Sequence, residues 1–533
     1  MPKAATAKGG EEKLNFAILW VIVLGTFMAV MDGTIVNVSL PKMISVFNSS
    51  TSQAQWIVTS YMLTLGIVMP ISGFLGDRFG YKRVYSVAMV VFVIGSLLCG
   101  IAWSIDSMIV FRVLQAVGGG TMQPLGMAIL YQNYPRERMG SVLGIWGISM
   151  MLAPAIGPTL GGYLVDYASW RFIFYVNIPI GILNLFMAKA RLPETKLVQG
   201  RSFDFVGVIT SSVGFFCLLL ALSQGNSRGW TSPYIATLLF VSLFSLTIFV
   251  HNELNHQSPL LDLRLCKNYV YSISLIVSSI ISIGMYSVIF LIPLLLQSIL
   301  GKSAFLTGLI LFPTALASGV VMPFSGKAFD RYGARALVTG GLVILIITTY
   351  MLHYINAWTS LYVIMFWLIV RGLGMGFCFM PSNTAGMNTV PTHLVGRASA
   401  LSNVVRQIAS AFGIAMFTSI LTSRQTEYMG YLAPSINVNS NEFLHIQKEI
   451  MSMATGLGMT TDSVMAMSSN MVLQHAIKES LVLAMGDCFL VASGITIIAL
   501  VLAFFFKGRP KTAGVKAGER IKPADSTNLE LEV

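Results

Sequence analysis

Asp32 lies inside MDGTIVNVSLP (Met31–Pro41), with apolar residues on both sides. An ionisable side chain in an apolar helix usually faces a bundle interior or a water path, and it marks proton or ion chemistry. Burial disfavours the charged form of a carboxyl group, so an acid placed there can take up and release a proton. Asp32 is therefore the first candidate for proton coupling. The alternatives are an acid hydrogen-bonded to a neighbouring helix for structure alone, or one wetted at the outer surface. Arg112 is the second candidate. It stands in FRVLQAVGGG, three residues before Gln115 and ahead of Gly118, Gly119 and Gly120. At 1.5 Å per residue, Asp32 lies about 24 Å from the start of its helix, and Arg112 about 7 Å from the opposite surface. In a core of about 30 Å both fall in the outer third, so protonating Asp32 would change its attraction to Arg112.

A second kind of chemistry is suggested by GFLGDRFGYKR (Gly73–Arg83), in which Asp77 sits among Arg78, Lys82 and Arg83 and between Gly73 and Gly80. A carboxylate beside cations and helix ends can form charge-assisted hydrogen bonds in one conformation and lose them in another. That is the chemistry of a gate latch. The alternative is a basic turn that only fixes topology. A second copy argues against it: MPISGFLGDRFGYK at Met69–Lys82 returns 253 residues later as MPFSGKAFDRYGAR at Met322–Arg335, with seven of fourteen positions identical. The repeat brings Asp330, Arg331 and Gly333 into register. A weaker echo pairs the stretch from Arg112 with RGLGMGFCFMP from Arg371.

The elements that must hold these residues are membrane helices. Of 533 residues, 55% are hydrophobic and 11% charged, against about 25% charged in a soluble domain. Apolar runs of about 20 residues fit an α-helix crossing about 30 Å of hydrocarbon. Fourteen such runs are expected, starting near Phe16, Ala54, Val84, Ser107, Gly140, Arg171, Phe205, Pro233, Val270, Ala304, Ala336, Ser360, Ala400 and Ala484. They are continuous rather than alternating, which excludes a transmembrane barrel. The first span, Phe16 to about Val36, has no small-residue cleavage site and reads as retained. With the N-terminus inside, about 24 of the 34 Lys and Arg fall on the cytoplasmic side and about seven outside, so both tails are cytoplasmic and the formal charge of +12 calls for no nucleic acid.

The repeat divides the chain into a tail (1–15), a six-helix half (16–190), a two-helix linker with its loops (191–269), a second six-helix half (270–506) and a second tail (507–533). Within the second half, 424–483 is expected as a long outside segment ahead of the last span, where Asp487 is either a second titrating group or an interfacial residue. Parallel repeats of this kind build their sites at the midplane. Candidates for the cavity there are Asn37, Gln115, Arg371, Arg406 and Gln407. Arg406 can instead snorkel to the cytoplasmic surface. The tenth span carries no carboxylate as a second anchor for dications, which disfavours polyvalent cations. In APAIGPTLGG (Ala153–Gly162), Pro154, Gly157, Pro158, Gly161 and Gly162 allow close helix approach and bending. Five cysteines lack metal-type spacing, no metal site is expected, and no phosphate-binding loop or catalytic constellation appears, so the expected energy source is a gradient.

With these motifs the chain resembles the major facilitator superfamily and, within it, the fourteen-span drug:proton antiporter family of EmrB/QacA type, over almost its whole length. WRFIFYVNIPIG (Trp170–Gly181) is a further stretch typical of those exporters, read as structural rather than chemical. The resemblance implies an all-α polytopic fold of fourteen transmembrane helices (6 + 2 + 6) in a bacterial cytoplasmic membrane. It implies a gate lock at Asp77, proton transfer assisted by Arg112, and export signalled by the Ala153–Gly162 motif. The drive is a proton gradient with no cofactor, and the partners are protons, a small hydrophobic substrate, the bilayer and, in a host with an outer membrane, a periplasmic adaptor. Three rival functions share these residues: a dedicated exporter of one lipid, fatty acid, siderophore or metabolite; uptake by symport; and a non-transporting sensor or scaffold.

Overall fold

The computed structural model describes residues 16–194, 204–356, 358–432 and 461–506, together with Leu444 and Lys448. The expected tails, part of the linker loop and most of 433–460 lie outside the described residues. Among the described residues fourteen long helices follow one another: α1 Phe16–Phe47, α2 Thr51–Phe79, α3 Tyr81–Gly100, α4 Ile105–Asn133, α5 Met139–Tyr167, α6 Asn177–Arg191, α7 Phe205–Arg228, α8 Pro233–Asn255, α9 Tyr269–Leu294, α10 Ala304–Tyr332, α11 Ala334–Leu352, α12 Leu361–Met387, α13 Val395–Leu432 and α14 Thr461–Ala503. A four-residue helical turn, Phe172–Tyr175, leads into α6. No strand occurs among the described residues. Thirteen of the fourteen are long and apolar enough to cross a bilayer, α6 together with the turn before it as Phe172–Arg191. The exception is α4, which carries Asp106, Arg112, three glutamines and a Gly-Gly-Gly run, and which packs against both α2 and α3.

The internal repeat is visible in the packing. In the first half α1 lies on α5 and α2 and α3 lie on α4; in the second half α9 lies on α13 and α10 and α11 lie on α12. Two seams join the halves, α5 against α10 and α2 against α13. Helices α7 and α8 pair with each other, and α7 packs on both α2 and α13, covering the second seam. Glycines with left-handed backbone make the two equivalent tight turns. Gly80 (φ 90°) joins α2 to α3, and Gly333 (φ 80°) joins α10 to α11. A side chain at either position would be strained by its own Cβ.

Three helices differ from the sequence expectation in length. α1 runs through Pro41 to Phe47 rather than ending near Val36, which puts Asp32 midway along the helix. α13 continues to Leu432 and α14 begins at Thr461, so both flanks of the 424–483 segment are helical. The apolar signal fades where these helices outrun the hydrocarbon, and hydropathy alone then shortens them.

Candidate functional site

Asp32 and Arg112 meet. Both are fully buried, and Arg112 Nη1 donates to Asp32 Oδ2 at 2.5 Å. The i, i+3 spacing on α4 puts Gln115 on the same face as Arg112. Its Oε1 accepts from Arg112 Nη1 at 2.7 Å, while its Nε2 donates to Asp32 Oδ1 at 2.8 Å and to Ser96 Oγ on α3 at 2.7 Å. Asn177 Nδ2, at the start of α6, also donates to Asp32 Oδ1 at 3.0 Å. The carboxylate is thus held from α4 and α6, and the clamp is steadied from α3.

The arginine is held just as fully. Its Nε donates to the Ile57 carbonyl at 3.4 Å, and its Cζ lies 3.9 Å from the centre of the Tyr61 ring. Nη2 has no hydrogen-bond acceptor among the described residues, so the ring face supplies part of the compensation. Tyr61 in turn donates to the Ala29 carbonyl at 3.2 Å. Gln115, expected to line the cavity, belongs to this sealed cluster instead; it is fully buried and absent from the cavity wall. The roles of Asn177, Ser96 and Tyr61 were not foreseen. Asn177 lies in the stretch read as structural, and nothing in the sequence distinguishes Ser96 or Tyr61 from other helix residues.

Beside this cluster, between the halves, lies a cavity in two adjoining parts of about 440 Å³ and about 260 Å³. Thr34, Asn37, Met150, Met151, Pro154 and Met285 border both parts. Arg371 opens onto the larger part, and Arg406, Gln407 and Tyr61 onto the smaller. Arg406 does not snorkel away: its guanidinium donates to Asn403 Oδ1 and lies 5.8 Å from the Phe379 ring centre. Pro154 and Pro158 line the larger part. The glycines of the same motif bring helices together. A Cβ on Gly157 would stand 2.3 Å from Thr34 Oγ1, one on Gly161 2.8 Å from Ile35 Cγ1, and one on Gly162 3.2 Å from the Phe305 nitrogen.

At the end of the bundle where α1 begins, the halves are latched reciprocally. Asp77, near the C-terminus of α2, accepts from Tyr81 Oη at 2.7 Å and lies 3.9 Å from Nε of Arg397 in the first turn of α13. Asp330, near the C-terminus of α10, accepts from the Gly140 nitrogen at 3.1 Å, the Ser141 nitrogen at 3.3 Å and Ser141 Oγ at 3.0 Å, all in the first turn of α5. In each case the acid on the second helix of one half reaches the start of the fifth helix of the other. There the helix dipole and the unpaired N–H groups favour negative charge. Arg136 adds bonds to the carbonyls of Asn388 and Val390, and Ser399 Oγ donates to the Pro124 carbonyl at 2.9 Å. Arg78, Arg83 and Arg331 are exposed, and Lys82 lies 3.8 Å from the exposed Glu194. Arg397 also lies 3.8 Å from Asp262, in the connector that follows the two linker helices. At the opposite end, Asp487 accepts from Tyr428 Oη at 3.0 Å and lies 3.4 Å from Nε of Arg424, tying α14 to α13 within one half.

Comparison with known proteins gives a consistent picture. A sequence model described as Major Facilitator Superfamily matches residues 22–414. The MFS-type transporter YhcA of Bacillus subtilis (strain 168) is 34% identical over 94% of this chain and 95% of its own length. The lincomycin resistance protein LmrB of Listeria innocua is 31% identical, covering 79% of this chain and 90% of that one. The multidrug export protein EmrB of Escherichia coli (strain K12) is 29% identical, covering 91% and 94%. Among solved structures, the proton:xylose symporter XylE shares the fold with a TM-score of 0.59 at 14% identity, covering 92% of this chain and 96% of that one.

Proposed function

Because the chain belongs to the major facilitator superfamily and to its EmrB/QacA type, we propose that it exports small hydrophobic or amphiphilic compounds, drugs among them, in exchange for protons. It is a membrane transporter and not an enzyme. The Lys and Arg bias supports a bacterial cytoplasmic membrane with both tails in the cytoplasm, which makes the latched end the cytoplasmic end. In a host with an outer membrane, a periplasmic adaptor would join it.

The observation that carries this reading is the sealed Asp32–Arg112–Gln115–Asn177 cluster one helix layer behind the cavity. Tyr61 links the two, with its ring on Arg112 and its side on the cavity wall. Protonating Asp32 would leave Arg112 a buried cation without its counter-charge. Removing one partner of a buried pair costs about 3–5 kcal/mol, enough to move a two-state equilibrium more than a hundredfold. Opposed to this switch stands the cytoplasmic latch, whose bonds exist only while that end is closed. Alternating access then follows: protonation at Asp32 and substrate in the cavity each favour a different arrangement of the halves.

The test is proton movement in liposomes holding a lumenal pH dye. Under an imposed gradient, several unrelated hydrophobic compounds should trigger proton release through the native protein and not through Asp32→Asn. Equal responses from both proteins would remove Asp32 from the coupling, and silence from both would remove multidrug antiport.

A further inference from the structure

We infer that the compound this cavity is built to carry is an anion: an apolar body bearing one acidic group, such as a carboxylate or sulfonate, whose charge is taken by Arg371. The inference rests on the export reading above and names its substrate class.

Arg371 is 5% exposed, and its exposed part faces the larger portion of the cavity. A guanidinium has five N–H donors and needs a counter-charge when buried. Two of these donors are used, both on neutral acceptors: Nε donates to Thr349 Oγ1 at 3.4 Å, and Nη2 to the Gly284 carbonyl at 2.6 Å. No carboxylate pairs with it among the described residues. The contrast with its counterpart in the first half is direct, because Arg112 has Asp32 at 2.5 Å and is closed off from the cavity. Arg371 keeps three donors, enough for bidentate capture of a planar anion.

The second arginine strengthens the same sign. Arg406 borders the smaller portion, donates to Asn403 Oδ1 and lies over the Phe379 ring, and among the described residues no acid pairs with it. No Asp or Glu occurs among the residues lining either portion, while apolar side chains make most of the wall. A cavity with two cations and no acid repels a cationic drug and leaves a neutral one with nothing to neutralise the arginines. An anionic amphiphile does both jobs: its charge removes the cost of the unpaired Arg371, and its apolar body fills the methionine-lined space.

The test uses three fluorescent probes sharing one body: 11-(dansylamino)undecanoic acid, its methyl ester, and the corresponding dansyl-alkyl amine. Binding to the purified full chain is read by tryptophan-to-dansyl energy transfer, and proton release by the liposome assay. The acid should bind at least tenfold tighter than the ester and the amine. Arg371→Gln should bring the acid down to the level of the ester while leaving the ester unchanged, and Arg371→Lys should restore part of the preference. Equal binding of all three probes to the native protein, or a preference for the amine, would overturn the inference without reference to any variant. A loss of all three probes in a folded Arg371→Gln protein would also overturn it, because a general packing role would then explain the residue. Proton release separates this result from the export reading. Acid-selective binding with no proton release supports the anion site and sinks antiport. Proton release with no charge preference sinks the anion site and leaves antiport standing.

Discussion

Asp330→Asn isolates the charge in the latch between the halves with almost no change of shape. The carboxylate accepts three hydrogen bonds from the start of α5 at 3.0–3.3 Å, distances at the long end of the normal range. Hydrogen bonds to a charged group contribute about 1.5–3 kcal/mol each, net of water; the lower figure suits these lengths and a partly exposed site. Charge-assisted bonds are about twice as strong as neutral ones, so neutralising the acceptor should cost the closed state about 2 kcal/mol. The ratio of open to closed states at the latched end should then rise about thirtyfold, since 1.4 kcal/mol is a factor of about ten. Spin labels at Arg83→Cys and Arg335→Cys read this ratio as a distance distribution. These positions are exposed, one in each half, at the starts of α3 and α11. Cys266 is the one exposed native thiol among the described residues and is first changed to Ser. A population at longer distance, about thirty times larger relative to the native one, is expected. A folded Asp330→Asn protein with an unchanged distribution would refute the latch at this site.

Gly326→Ala tests the same end sterically. Its Cβ would lie 2.1 Å from the Gly140 carbonyl oxygen, so the latched ends cannot close fully, the label distances should lengthen, and transport should fall at least tenfold. Normal distances with normal transport would contradict this. Arg397→Gln withdraws the cation that lies between Asp77 and Asp262, all three nearly buried. Breaking buried pairs costs about 3–5 kcal/mol, so this variant should open the gate further than Asp330→Asn does, and a smaller shift would show that Tyr81 and the helix end hold Asp77 without it.

Much of the architecture is legible in the sequence because membrane helices are long, apolar and bounded by turn residues, and because the repeat at Asp77 and Asp330 fixes which helices correspond. The contact of Asp32 with Arg112 is legible in part, since an acid and an arginine in apolar helices each need a partner and the chain offers few others. Gln115 could have been assigned to that pair from its i, i+3 spacing alone. Arg397 could not. It is the third residue of α13 and reads as one more inside cation, and only the packing of α13 on α2 brings it to Asp77. Asn177 is hidden for a similar reason. Its amide has no unusual neighbours in sequence, and it becomes a ligand of Asp32 only because α6 packs on α1.

The two halves therefore share a scaffold and differ in where their charges are neutralised. Each fourth helix carries an arginine near its middle or outer part. In the first half the chain supplies the counter-ion itself, together with an amide clamp from Gln115 and Asn177, and seals the pair behind Tyr61. In the second half the position facing the arginine is a backbone carbonyl at Gly284, and the guanidinium is left open to the cavity. A pair closed from the cavity can respond to a proton without competing with cargo. An open arginine can respond to cargo without binding a proton. Separating the two in this way would let one molecule exchange protons for substrate with Tyr61 as the contact between the pair and the cavity, provided that the seams α5–α10 and α2–α13 move together. The reciprocal latch bears on both seams, because Asp77 reaches across α2–α13 and Asp330 across α5–α10, so opening the bundle at the end where α1 begins breaks the contacts of both acids.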